Sequence, residues 1–369
     1  MNLHVISLNI PYPANYGGVI DIFYKLKALS EAKVNVYLHT FEYNRPPAEE
    51  LNKYCKKVFY YKRKKGLKYF FYAKPYIVVT RKSSSLLQNL MTIEGSILFE
   101  GLHTTYLLPD KNLKNRIKIV RTHNIEHEYY HFLAKSASNI FKKIYYATES
   151  RKLRKHEQVL KHADLVASIS KNDHTYFNSM YNTFFLPAYH QFSAINSKPG
   201  IGNYALYHGD LSTPENIVVV KYLVRKVFAK TDYPLQIAGK NPSREILKIT
   251  FEHDIKLHAN PSYKEIQKLI QEAQFNLLVT FQSTGLKLKL LSSAFLGRFI
   301  IANNKMIANT GIESECIICN STNEIIHSIE KYKSMEFDSN MLERRSKILQ
   351  KNFDKKTLTD QFLDRIKSM

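Results

Sequence analysis

Apolar residues in this chain fall into short strand-like runs separated by stretches of helical spacing, and the alternation occurs twice. Buried parallel strands read as brief apolar runs, whereas helices repeat every three to four residues. The first series predicts strands over 3–8, 34–40, 57–62, 96–99, 117–122, 165–168 and 184–186. Helices are predicted over 19–30, 67–72 and 84–91, with a long basic helix over 139–162. Residues 188–203 then lapse into loop composition with Pro199, Gly200 and Gly202, the place for a domain boundary. The second series predicts strands over 204–208, 235–238, 255–258, 275–279, 299–302 and 316–319, with helices between them and two more from about 341 to the end. Two βαβ series joined by one linker give an α/β fold of two doubly wound, Rossmann-like domains facing a cleft, spanning 1–190 and 200–350.

The stretch 275–303 shows the pattern most clearly: a buried run, Gly285 as a break, Leu290, Leu291, Ala294 and Phe295 at helical spacing, then a second buried run. Gly297 stands where a helix C-terminus favours a left-handed residue. Lys287 and Lys289 fall in the first turn of that helix, where the dipole is already positive. An anion held between the lysines and the free N–H groups would make that arrangement favourable. Two lysines pointing into water account for it equally well.

Length and composition narrow the class. The 369 residues, 44% hydrophobic, suffice for two domains with real cores. No run reaches the roughly 18 apolar residues of a membrane span, and the first residues read as a strand rather than a signal peptide. Of three cysteines, Cys316 and Cys319 form a CxxC with no second pair, so they read as structural. These features predict a cytoplasmic protein.

Charge changes the picture most. Fifty-four basic and 32 acidic residues give +22, which implies an anionic partner. Residues 60–72, YYKRKKGLKYFFY, interleave bases with aromatics. A nucleic acid could use that mixture through phosphate contacts and stacking. An anionic bilayer could use it through interfacial Tyr and Phe with Lys and Arg on headgroups. A plain solvated basic surface is the third reading.

Several local motifs lie at predicted strand ends. Gly17-Gly18 follows the first strand but is not the dinucleotide fingerprint GxGxxG. Arg121-Thr122-His123-Asn124-Ile125-Glu126 follows the 117–122 strand, and ligands in parallel sheets bind at strand C-termini. With Ala163–Ser170 (ADLVASIS), Tyr207–Asn216 (YHGDLSTPEN), Ile237–Lys240 (IAGK) and Thr284–Leu291 (TGLKLKLL), these segments arrive in the order found in one enzyme family. Over nearly its whole length the chain resembles the retaining GT-B glycosyltransferases of the family-4 kind (glycosyl transferases group 1).

The resemblance implies a GT-B fold whose C-terminal segment, 351–369, crosses back to the N-terminal domain. It implies an acceptor side in the N-terminal domain and a nucleotide-sugar donor side in the C-terminal one. Gly17 and Gly18 would approach the donor's phosphates and sugar, and His123 would stand near the sugar and the acceptor hydroxyl. Lys289 would neutralise the leaving diphosphate, with Lys240, Lys287, Gly209, Thr284, Gly285, Leu286 and Ser292 around the donor. Arg121, Asn124 and Glu126 would lie on the acceptor side. In this family a leaving phosphate oxygen is thought to accept the acceptor's proton, so positioning and charge stabilisation dominate. Neither a metal nor a cofactor is implied, the nucleotide sugar being a co-substrate. The sequence departs from the family at Thr284 and Ser292, where relatives often carry two glutamates eight positions apart.

The expected function is therefore a hexosyltransferase-like, metal-independent enzyme that moves a sugar to a lipid-linked or polysaccharide acceptor in cell-surface polysaccharide synthesis. It would work from the cytoplasm, peripherally on the inner membrane face, with 56–72 and 142–155 on anionic lipid and no nucleic-acid partner. The alternative is a catalytically degenerate relative that keeps the fold as a binding scaffold.

Overall fold

Parallel pairing organises both halves of the chain, as the runs buried on both faces require. In the computed structural model, residues 1–137, 139–281 and 288–369 are described. The first sheet comprises β1 (Asn2–Ser7), β2 (Asn35–Glu42), β3 (Lys57–Lys62), β4 (Ser96–Glu100), β5 (Lys118–Thr122), β6 (Leu165–Ser168) and β7 (Thr183–Phe185). Its order is β3-β2-β1-β4-β5-β6-β7, with every pairing parallel. The second comprises β8 (Ala205–Asp210), β9 (Leu235–Lys240), β10 (Lys256–Ala259), β11 (Phe275–Leu278), β12 (Phe299–Ala302) and β13 (Ile317–Ile318). It is ordered β10-β9-β8-β11-β12-β13, again all parallel.

Each sheet belongs to its own unit. The first unit holds residues up to Gln191 and also 353–369; the second holds the described residues from Phe192 to Asn352. The last helix, Lys355–Lys367, inserts Leu358, Phe362, Leu363 and Ile366 into the core formed by Leu3, Val5, Ile22, Leu26 and Tyr189. Thr359 Oγ1 donates to the Tyr189 hydroxyl at 3.2 Å beneath that contact. The second unit has a separate core around Tyr207, Val219, Ile237, Phe275 and Ile301.

Three local features differ from the sequence reading. Gly297 is not left-handed; a Cβ there would lie 2.3 Å from Asn276 Nδ2, so close packing excludes a side chain. Helices at Glu126–Ser136 and Lys171–Asn178 were not foreseen. The 139–162 helix is α-helical over Ile140–His156, capped by Asn139 Oδ1, and tightens to a 3-10 helix over Glu157–His162.

Candidate active site

Doubly wound sheets open a crevice where successive connections leave the strand C-termini toward opposite faces. That point lies between β1 and β4 in the first unit and between β8 and β11 in the second. Predicted residues gather at both.

In the first unit Glu100 ends β4, and His123 directly follows the neighbouring β5. Glu100 Oε2 lies 2.9 Å from His123 Nε2, while Glu100 Oε1 is 2.6 Å from Lys25 Nζ. Lys25 also reaches Asp21 Oδ2 at 3.0 Å, and Asp21 Oδ1 accepts from Arg121 Nη2 at 3.0 Å. Two carboxylates and two cations thus balance in a dry network, since Asp21, Lys25, Glu100 and Arg121 are all fully buried. Burial alone would raise the Asp21 carboxyl, but Arg121 and Lys25 hold it well below the carboxylate range. Burial likewise opposes ionisation of Glu100, and Lys25 with the His123 hydrogen bond overcomes it. The other ring nitrogen of His123, Nδ1, is left without a contact to this carboxylate.

Nδ1 lies over Gly18, in the first turn of the Gly17–Glu31 helix, at 3.8 Å from where a Cβ would stand. Asp21, Glu100 and His123 have ligand atoms within 4.8 Å of one another, a spacing that a metal could use. The Lys25 ammonium already occupies that role, so a divalent cation would add charge to a balanced site.

Arg121 does not reach an acceptor. Its Nε and Nη2 donate to Asp21, Nη1 to the Leu186 carbonyl and Nη2 also to Pro187, which leaves a fully buried strut. Asn124 is half-buried. Glu126 is buried at the start of its helix, and Oε1 has no hydrogen-bond partner, 3.8 Å from His103 Nδ1. Burial pushes its carboxyl up to about 7.

A cavity of about 790 Å³ opens in the same unit beside Leu8, Tyr16 and His103, a size suited to a small ligand.

In the second unit Lys289, in the Leu288–Leu296 helix, extends its Nζ to Asn216 Oδ1 at 2.7 Å. Asn216 is held by Tyr207 Oη, 2.7 Å away, and donates to the Asp210 carbonyl at 2.7 Å. This places the ammonium at the end of β8, where a Cβ on Gly209 would meet Nζ at 2.6 Å. Gly239, in β9, has a different reason: a Cβ there would stand 1.9 Å from the Gly209 carbonyl oxygen. Nearby His208 is buried with its Nε2 unpartnered, and burial, then the Lys289 charge, pulls it down to about 3. Lys240 is exposed at the end of β9, in register with Asp210, and Ser292 is half-buried. Thr284, Gly285, Leu286 and Lys287 lie outside the described residues.

Solved structures share this arrangement of elements. The N-terminal domain of a Candida albicans trehalose-6-phosphate phosphatase superposes with a TM-score of 0.67 at 12% identity, covering 100% of this chain and 96% of that one. TarM of S. aureus, solved with Fondaparinux, alpha-GlcNAc-glycerol and UDP, gives 0.66 at 10% identity over 99% of each chain. HepE of Anabaena, solved with UDP and glucose, gives 0.66 at 12% identity over 100% of both. The fold is GT-B. No family model matches the chain. By sequence, an uncharacterized 44.6 kDa protein in the cps region of Klebsiella pneumoniae is 26% identical over 375 residues, 95% of this chain and 96% of that protein.

Against the GT-B frame, sequence reasoning missed Glu100, Lys25 and Asp21. A carboxylate ending a strand beside a histidine that ends the next is a signal for Glu100, and reading β4 one residue short hid it.

Proposed function

We propose that the protein is a glycosyltransferase that moves a sugar from a nucleotide-sugar donor to a glycan or lipid-linked acceptor. One observation carries this reading: the Lys289 ammonium lies at the switch point of the second sheet, against a strand end kept free of side chains by Gly209. That is where a leaving diphosphate needs positive charge and close backbone approach. The second unit then binds the nucleotide, and the first binds the acceptor and supplies His123, held by Glu100. Retention and independence from metals follow the resemblance and remain part of this proposal. UDP in the TarM and HepE structures, and a relative from a cps region, support a UDP-sugar and surface-polysaccharide synthesis.

A membrane surface completes the reading. No described helix is long and apolar enough to cross a membrane. Leu67, Phe71, Tyr72, Ile140, Phe141 and Ile144 are nonetheless exposed, with Phe71 at 88% and Phe141 at 79%. The two segments that carry them touch, since Lys152 Nζ donates to the Phe70 carbonyl at 2.6 Å and the Phe70 ring meets Tyr145 edge-on. Exposed Lys64, Lys65, Lys68, Lys142 and Lys143 surround the patch. Apolar tips among lysines suit an anionic bilayer, with rings at the interface and ammonium groups on headgroups.

The scaffold alternative draws on Ser292, which stands where relatives often place a glutamate. A thermal-shift screen against UDP, GDP, ADP and CMP decides between the readings. A ligand at 100 times its dissociation constant adds about 2.7 kcal/mol of stability. A shift with one nucleotide fixes the donor class; no shift with any of them removes the transferase reading.

A further inference from the structure

The cavity in the first unit carries more positive charge than its fold requires. Arg45, Arg63 and Arg81 line it, and no carboxylate does so among the described residues. None of the three forms an ion pair there either. Arg81 is the telling member, because it is only 4% exposed. Its Nε and Nη2 donate to the Leu8 carbonyl at 2.9 and 2.8 Å, and Nη1 to Ile77. Backbone carbonyls satisfy its hydrogen bonds, and no carboxylate stands within ion-pair distance of it, the buried Glu126 carboxyl acting on it only from farther off. Burial, then the charge of Arg63, pulls its guanidinium down to about 9, so it stays cationic at neutral pH. A buried charge without a direct ion pair is costly, and such charges are normally paired or placed for an anionic ligand.

The other walls are rings. Arg63 lies 4.2 Å from the centroid of Tyr43 and 5.7 Å from that of Tyr76, and its Nε donates to Thr80 Oγ1. Arg45 lies 5.4 Å from the centroid of Tyr16 and donates to the Pro13 carbonyl. These contacts hold the Arg45 and Arg63 guanidinium groups against tyrosines that line the cavity with them. Tyrosines beside fixed arginines offer flat faces for a sugar ring and forked donors for an oxyanion.

We propose that this cavity binds a sugar bearing an oxyanion, a phosphate or carboxylate, with the arginines on the anion and the tyrosines on the ring. That this ligand is the acceptor rests on the transferase reading above; that the cavity binds it does not. Tyr145 and Tyr146 line the cavity from the helix that also carries exposed Ile140, Phe141 and Ile144. The cavity wall is thus continuous with the surface assigned to the bilayer, which favours a phosphate carried on a lipid.

The test is direct binding by calorimetry to the full chain, using glucose-1-phosphate, glucuronic acid and glucose. At least one of the two acids should bind about tenfold or more tightly than glucose, with affinity falling as salt rises. Arg63→Ala and Arg45→Ala should each lose about tenfold of that affinity, and Arg63→Lys should recover part of it. A preference for glucose-1-phosphate, strengthened when a polyprenyl-linked form is offered in phosphatidylcholine vesicles, assigns the anion to a lipid phosphate. A preference for glucuronic acid assigns it to an acidic glycan. Equal affinity for all three sugars overturns the inference, as does binding lost in Lys289→Ala but kept in both arginine variants. UDP thermal shifts on the same proteins separate the two claims. An absent UDP shift with intact anion binding removes the transferase reading and leaves the cavity assignment standing.

Discussion

Glu100 divides its carboxylate between two partners, His123 Nε2 at 2.9 Å from one oxygen and Lys25 Nζ at 2.6 Å from the other. The histidine is thereby tied to the ion pairs that brace the first sheet, and its position depends on them. Glu100→Gln should cost about 3 kcal/mol or more of stability, because it leaves a buried cation in excess. His123→Ala deletes one hydrogen bond on Glu100 but leaves the Lys25 ion pair, so it should cost less stability than Glu100→Gln, about 1–3 kcal/mol, while turnover falls about a hundredfold. Equal losses of stability in the two variants would place His123 among the structural residues.

Gly209→Ala should separate folding from nucleotide binding. The added methyl meets the mobile end of Lys289 rather than backbone, so the chain can yield by displacing the ammonium. Nucleotide affinity should fall about tenfold in both Gly209→Ala and Lys289→Ala, read by titration with UDP. An unchanged dissociation constant in Lys289→Ala would take that lysine out of the site.

Gly239→Ala, in register with Gly209 on the neighbouring strand, should do the opposite. Its methyl would collide with the Gly209 carbonyl oxygen, and backbone on both sides can move only by opening the β8–β9 pairing. A loss of about 2 kcal/mol or more is expected in urea unfolding.

Glu126 sets a pH dependence with a definite sign. Its carboxyl is raised by burial from 4.5 to about 7, so the folded protein keeps a proton that the unfolded chain releases. The group therefore costs nothing at low pH and destabilises the fold progressively as pH rises from 4.5 through about 7. A shift of that size is worth about 3 kcal/mol at most. Glu126→Gln should match wild type near pH 4 and exceed it in stability at pH 8, measured as the difference in urea midpoint. Equal midpoints at pH 8 would mean that the carboxylate has found a partner.

Phe71→Ser combined with Phe141→Ser should lower binding to phosphatidylglycerol vesicles several-fold, and raising salt should weaken the remainder. Sedimentation with vesicles reads both effects. Undiminished sedimentation would assign the exposed rings another role.

Most of the sheet framework was legible in the sequence, because strands buried on both faces leave no alternative pattern. Phe275–Leu278 and Phe299–Ala302 announced themselves as apolar runs flanking a helix. The Glu126–Ser136 helix did not, since it buries only Glu126 and Ala134 and shows little apolar periodicity. Arg121 looked like a ligand contact because its partner, Asp21, lies 100 residues earlier in the chain. The motif glycines drew attention correctly, but spacing could not tell Gly209, which makes room for a side chain, from Gly239, which makes room for a backbone. Arg81 belonged to no motif, and only its burial without a direct ion pair sets it apart.

The balanced network of Asp21, Lys25, Glu100 and Arg121 constrains how this protein can change over time. Replacing any one member strands a charge in a dry interior, so a lone substitution should be rejected in descendants, whereas paired replacement of an acid and a base can be accepted. Across natural relatives these four positions should therefore vary together, and His123 should be lost in lineages where Glu100 has gone.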